Sequence, residues 1–360
     1  IAPYATLFHW DTPQALQEDG GWANRRTVDD FVAYADLVSK RLGDRVVSWS
    51  THNEPFCVAT LGHEHGVHAP GLQDLSTAVA VSHHLLLAHG AAVPVIRANA
   101  PQAEVGIVLN LTDVMAASPS AVDAEARELA DQSVNRWYLD PLAGRGYPDA
   151  LCAHYESSGA WPSEGLVQTG DLATIAAPID FLGVNYYFRS LVRSAVVPES
   201  QNLVRTEHER PERTAMGWEI YPEGLGALLR RLHHDYTFQR LYITENGAAF
   251  DDEVGADGQV NDPRRVAYFR AHLAQCADAI NAGVPLAGYF AWSLFDNFEW
   301  AYGYAKRFGL VHVDFETLLR TPKRSAQWYA DVVANNALPS PSTETVANTA
   351  PNSPVSGGPA

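Results

Sequence analysis

Six short apolar runs punctuate this chain, and each is followed by a longer stretch whose apolar residues recur three and four positions apart. The first spacing predicts buried strands and the second predicts helices that cover them. Strands are expected over residues Ala2 to Phe8, Arg45 to Thr51, Glu104 to Leu109, Phe181 to Tyr187, Leu241 to Thr244 and Leu286 to Ser293. Helices are expected from Thr27 to Leu42, Thr77 to Ala98, Ala121 to Tyr138, Pro222 to Tyr236, Asp262 to Ala282 and Pro322 to Asn335. In the first helix Phe31, Tyr34, Val38 and Leu42 fall on one face. Pro94 should kink or shorten the second. Asp262 is read as a cap with Pro263 in the first turn, and Arg264 and Arg265 as a solvated helix start. Six strands alternating with helices imply a parallel sheet wrapped by helices, an α/β fold of the (β/α)₈ barrel type with about six units present. One domain is expected over residues 1–337. Residues 338–360 turn to Pro, Ser, Thr, Asn and Gly and are read as a disordered tail.

Composition narrows the class. Of 360 residues, 46% are hydrophobic and 19% charged, enough for a large core. The formal net charge of −17 argues against a nucleic-acid partner or an anionic membrane, because phosphate binding needs the opposite sign. No run is read as reaching the length of a membrane span. Cys57, Cys152 and Cys276 lie too far apart for a disulfide framework or a zinc ribbon, which favours a reducing, cytoplasmic compartment. The chain opens at Ile1, inside a predicted strand, so a signal peptide is not assessable. Nothing in the pattern fixes an oligomeric state.

The carboxyl ends of the predicted strands are polar or aromatic: FHWDTP with His9 and Trp10, THNEP with Asn53 and Glu54, VNYY with Asn185 and Tyr187, YITENG with Glu245, and WSLFDNFEW with Trp292, Glu299 and Trp300. A βα barrel gathers those ends at one mouth. Two glutamates from different strands, among indoles, phenols and amides, suit a neutral sugar ring. Two carboxyl groups flanking one glycosidic bond are also the apparatus of glycoside hydrolysis, and a separation of about 5–5.5 Å gives retention. The histidines of GHEHGVHAPG do not form the His-Glu-x-x-His helix pattern, because glycine and proline oppose a helix there, so no metal is expected. His83, His84 and His89 are read as packing or surface residues, and Trp137, Tyr138, Trp328 and Tyr329 as fillers between helices and barrel. Cys57, close to Glu54, is given no nucleophilic role.

THNEP and YITENG, with FHWDTPQAL before them and WSLFDNFEWAYGYAKRFGLVHVDFETLLRTPKRSAQWY after them, resemble glycoside hydrolase family 1, the β-glucosidases. The resemblance implies a retaining β-glycosidase that needs no cofactor. Glu54 would be the general acid/base and Glu245 the nucleophile. His9, Asn53, Glu299 and Trp300 would contact the sugar, Trp292 would be a platform, Asn185 and Tyr187 would flank the nucleophile, and Phe308 would line the wall near the primary hydroxyl. The Glu299-Trp300 pair would repel a 6-phosphate, pointing to β-glucosides, fucosides or galactosides, as small molecules or oligosaccharides. Two strands that begin the family's barrel, carrying a glutamine and an arginine, have no counterpart here. The expectation is therefore an N-terminally incomplete barrel with weak or absent activity. The competing readings are a sugar-binding relic of a barrel and a transglycosylase.

Overall fold

The apolar runs pair side by side in the computed structural model, which describes residues 1–161, 165–196 and 211–339. Its strands are β1 (Tyr4–Phe8), β2 (Ser48–Asn53), β3 (Glu104–Asn110), β4 (Asp113–Ala116), β5 (Phe181–Asn185), β6 (Arg189–Val192), β7 (Leu241–Asn246), β8 (Leu286–Ala291), β9 (Val311–Val313) and β10 (Arg320–Pro322). Six of them make one sheet in the order β1-β2-β3-β5-β7-β8, with every neighbouring pair parallel. Helices connect successive sheet strands and cover the sheet. The sheet curls until the Tyr4 ring reaches Tyr242 of β7 and Phe290 of β8, at centroid distances of 5.8 and 5.2 Å. This is the barrel-type α/β architecture with six βα units. Among the described residues β1 and β8 have a strand neighbour on one side only. Of the expected tail, residues 340–360 lie outside the described residues, as does most of the polar excursion after β6.

Several local expectations need correction. Helix Thr27–Leu42 forms as predicted, but its buried stripe is Val28, Phe31, Ala35 and Ser39, while Tyr34 and Leu42 are exposed. Small residues win the inner face because helix Leu75–Asn99 packs closely against it. That second helix starts with the Asp74 carboxylate accepting from the Thr77 amide at 2.7 Å, and it continues through Pro94 rather than ending there. Contrary to the sequence reading, it is long and apolar enough to cross a membrane, but 78% of its most apolar window is buried within the fold. It is a central helix surrounded by protein, apolar on nearly every side. At Gly90 the short helix Asp171–Ile175 comes so close that a Cβ would sit 2.0 Å from the Thr174 carbonyl oxygen. The predicted helix from Ala121 divides into Ala121–Asp131, a wide turn at Gln132–Arg136 and Trp137–Leu142.

The largest correction is at helix Pro263–Asn281. The Asp262 carboxylate does not cap it but accepts from Ser325 and Arg265. Arg265, expected in solvent, is fully buried. It joins Asp252 and Asp262, Lys323 joins Asp252 and Asp296, and Arg307 joins Asp296. A buried charge survives only when paired and hydrogen-bonded. Here the pairing ties the segment after β8 to the helix before it and to helix Arg324–Asn335.

His83, His84 and His89, expected at packing or surface positions, are buried, and so is His272, on which the sequence reading is silent. Burial holds His83 and His272 down at about 4 and His89 at about 3, so all three fold as neutral rings. Their folded values lie below the ordinary 6.5, so stability is complete above 6.5 and is lost as pH falls toward 4. Near pH 5 each such site costs about 2 kcal/mol. Thermal unfolding should therefore show a marked drop in Tm on acidification. His89→Gln, which retains a partner for the Thr51 hydroxyl, should show a smaller drop; an equal drop would remove His89 from the account.

Candidate active site

The carboxyl ends of the sheet strands surround a cavity of about 590 Å³. How β2 delivers its residues there follows from a break in its alternation. Thr51 Oγ1 meets His89 Nδ1 at 2.7 Å, and His52 stacks on Phe31 with ring centroids 4.4 Å apart. Both partners are on helices that pack against the sheet from outside the cavity, so two consecutive residues face the same way. A regular strand cannot do this, and β2 slips its register against β3 between Ser50 and Asn53. Beyond the slip Asn53 and Glu54 both reach the side chain of Asn185, on β5. Glu54 adopts a left-handed backbone with φ of +49°, as do Trp10 at +80° and Trp300 at +43°. Such conformations are strained for residues with a Cβ and tend to gather at functional sites.

Asn185 Nδ2 donates to Glu54 Oε1 at 2.6 Å and to Asn53 Oδ1 at 3.0 Å, and its Oδ1 accepts from Thr244 Oγ1 at 2.6 Å. The amide orientation is therefore fixed on every side. Asn53 Nδ2 in turn lies 3.2 Å from His9 Nε2. Burial lowers His9 to about 4, so the ring is neutral, and Nε2 accepts from the amide while Nδ1 carries the proton. Asn185 and Glu245 stand opposite each other in the β5–β7 ladder. The Tyr187 hydroxyl donates to Glu245 Oε2 at 2.7 Å. Behind β7, Asn246 bonds the Tyr186 carbonyl and the Tyr268 and Tyr289 hydroxyls, which locks the strand next to Glu245.

Glu54, Glu245 and Glu299 line the same cavity, and none of its described lining residues is Lys or Arg. Burial raises Glu54 above the ordinary 4.5, while Cys57 and Asn185 oppose the shift by donating to it. Burial raises Glu245 as well, aided by the charge of Glu54, with Tyr187 opposing. Burial and Glu54 push Glu299 to about 7. Close carboxyl groups of this kind hold a proton between them and titrate as a unit. Among the described residues Glu299 Oε2 is buried with no hydrogen-bond partner, an acceptor open to a ligand hydroxyl. His9 lies against Trp292 and Trp300 at 6.0 and 5.8 Å, and Trp10 lies 4.7 Å from Trp300, giving an aromatic wall.

Nine of the ten residues singled out from sequence line the cavity: His9, Glu54, Asn185, Tyr187, Glu245, Trp292, Glu299, Trp300 and Phe308. The tenth, Asn53, sits behind them as the link between His9 and Asn185. Cys57, read as lying close to Glu54, also lines the cavity, whereas sequence reading missed Asn110, Phe56, Phe188, Met216 and Trp218. Asn110 ends β3, so the rule applied to the other strand ends would have found it. Trp218 lies in a segment with no periodicity, and nothing around it marks it. The histidine-rich stretch also differs from expectation, since a wide helical turn covers Cys57–Glu64 and includes His63. Among the described residues no three of His, Cys, Asp and Glu gather to hold a metal ion.

The sequence profile of glycosyl hydrolase family 1 matches residues 1–338. β-Glucosidase A of Acetivibrio thermocellus is 47% identical over 342 residues, covering 94% of this chain and 75% of that protein. A bifunctional β-D-glucosidase/β-D-fucosidase of Bifidobacterium breve is 40% identical, covering 94% of this chain and 76% of that one. The structure of a β-glucosidase from Thermotoga maritima in complex with glucoimidazole matches with a TM-score of 0.87 at 43% identity, over 94% of this chain and 75% of that one.

The carboxylate crowding has a measurable cost. Glu245 holds its proton more tightly folded than unfolded, so it subtracts stability as pH rises above 4.5. Glu245→Gln keeps an acceptor for Tyr187 and removes the charge. The variant should unfold at a higher temperature than the parent, by a margin that grows from acidic to mildly alkaline pH. A margin independent of pH would show that Glu245 is not under electrostatic stress.

Proposed function

The chain belongs to glycosyl hydrolase family 1, and from that premise we propose that it hydrolyses terminal β-D-glucosides by double displacement. The observation that carries the reading is the meeting of Glu54 and Glu245 in one cavity, linked through Asn185 and raised in pKa by burial. Glu245 attacks the anomeric carbon as the bond to the leaving oxygen breaks, and Glu54 gives that oxygen its proton. The sugar is then esterified to Glu245 and the alcohol departs. Glu54, now ionised, takes a proton from water as the water oxygen attacks the anomeric carbon, and Glu245 leaves as carboxylate. Two inversions give net retention. Both displacements use side chains and water alone.

The rest of the cavity supports a neutral sugar. Trp292 and Trp300 offer flat faces for C–H groups, while His9 and Asn185, joined behind the cavity by Asn53, address hydroxyls. The unpartnered oxygen of Glu299 suits the hydroxyls far from the anomeric centre, with Phe308 beside them. Three glutamates without a lining Lys or Arg disfavour a 6-phosphate. The named activities of the relatives, β-glucosidase and β-fucosidase, agree with this and make a fucoside a second substrate to assay.

Glu245→Gly should lower hydrolysis of an aryl β-glucoside by at least about three orders of magnitude, and a 2-deoxy-2-fluoroglucoside should label Glu245 in the parent. Labelling of another residue would reassign the nucleophile. Binding without labelling or turnover would make this a sugar-binding protein. Glucose affinity, measured by calorimetry, should weaken as pH falls below about 7, because protonated Glu299 loses an acceptor. Glu299→Gln should flatten that dependence, and an unchanged curve would place Glu299 outside the sugar contacts.

A further inference from the structure

We propose that Cys57 is a positioning residue that fixes, on one oxygen, the proton Glu54 transfers. The inference rests on the glycosidase reading above and adds to it a group that the mechanism does not use.

Among the described residues Glu54 is held by five hydrogen bonds. Its amide donates to the Val108 carbonyl at 2.9 Å, and its carbonyl accepts from the Cys57 amide at 2.9 Å and the Val58 amide at 3.4 Å. Its side-chain oxygens accept from different donors, Oε1 from Asn185 Nδ2 at 2.6 Å and Oε2 from Cys57 Sγ at 3.0 Å. The two side-chain donors behave differently. Asn185 is pinned by Thr244 and Asn53, so its nitrogen faces Oε1 in every protonation state and can only donate. A proton on Oε1 would meet that N–H head on. The transferable proton therefore resides on Oε2, the oxygen that the thiol touches.

A thiol tolerates both forms of that oxygen, because sulfur is a weak donor through S–H and a weak acceptor through its lone pairs. When Glu54 is ionised, S–H donates to Oε2. When Oε2 carries the proton, the S–H can rotate away and leave the hydroxyl free to point at the leaving oxygen. The donor favours the ionised form and so makes Glu54 a readier acid. Cys57 is itself buried, with its own proton held tightly by burial and by the charge of Glu54, so it stays a thiol. The other ionisable groups facing Glu54 are Glu245 on β7, Glu299 after β8 and Tyr187 after β5. Cys57→Ala leaves all three in place.

Aryl β-glucosides with a range of leaving groups test the proposal. Proton donation matters for a poorly acidic phenol and little for dinitrophenol. In Cys57→Ala, kcat/KM should fall several-fold for the poor leaving groups and stay near the parent value for dinitrophenol, with the alkaline limb of the pH profile moved upward. Cys57→Ser supplies a hydroxyl donor and should restore both. An equal loss on every substrate would mean only a structural role and would overturn the proposal. A readout without turnover is the carboxyl ¹³C titration of Glu54, assigned by its loss in Glu54→Gln. Its midpoint should rise in Cys57→Ala and lie at or below the parent value in Cys57→Ser. An unmoved midpoint in the alanine variant, or a serine midpoint above the parent, would overturn it. If Cys57→Ala fails to fold, the serine comparison decides alone. Absence of fluoroglucoside labelling would strike the glycosidase reading instead, and the titration would still report on Cys57.

Discussion

Three carboxyl groups share one cavity, and the hydrogen bonds that answer them come from neutral donors: the Asn185 amide, the Cys57 thiol and the Tyr187 phenol. Neutral donors relieve burial without cancelling it, so the carboxyl groups keep raised pKa values and can hold a proton where isolated carboxylates would not. Each donor is itself held. Thr244 and Asn53 fix the amide, and the Cys57 backbone closes a turn onto Glu54. The crowding is tolerable because this second layer keeps the donor nitrogen and sulfur beside the carboxyl groups.

That rigidity comes from the sheet. Parallel strands deliver their carboxyl ends to one mouth, so residues far apart in sequence meet without long excursions of the chain. Asn185 and Asn53 are 132 positions apart and bonded at 3.0 Å. Register slips between Ser50 and Asn53, Val184 and Asn185, and Ile243 and Asn246 fall near these ends and turn side chains off the regular alternation. The segment after β8 lies outside the sheet, yet it carries Glu299 and Trp300. Asp296, three residues before Glu299, is anchored by Lys323 and Arg307, and the network continues to Arg265. The ion pairs thus do for a loop what strand pairing does for the rest of the cavity.

Strand positions and the main cavity residues were legible because they depend on short-range pattern: apolar runs of four to eight residues, each ending in a polar cluster. What escaped depends on approach from elsewhere. The inner face of helix Thr27–Leu42 is chosen by the neighbouring helix, so Ala35 and Ser39 are buried where bulk alone favoured Tyr34 and Leu42. Arg265 looks like a surface residue until Asp252, 13 positions earlier, is folded against it. Cys57 was noticed only as a neighbour of Glu54 in sequence. Its bond to Oε2 follows from the backbone turn after a left-handed residue, which no side-chain pattern announces. Trp218 enters the cavity from an irregular segment, and its place is set by packing on Tyr187 and Phe308.

The division of labour between Glu54 and Glu245 is completed by what occupies the cavity. Burial raises both, and the charge of Glu54 adds to the rise of Glu245 even though the Tyr187 phenol favours its ionised form. Without a ligand the proton belongs to the pair. In the proposed reaction a bound glycoside breaks that symmetry, because it presents different atoms to the two sides. The leaving oxygen, an acceptor, draws the proton to Glu54. The anomeric carbon, gaining positive charge as the bond lengthens, favours an ionised Glu245. A cavity that fixed the proton rigidly on either residue beforehand would lower the energy of the resting site and leave less to be gained in the transition state. The neutral donors keep the proton available to both carboxylates, and the chemistry of the substrate assigns it.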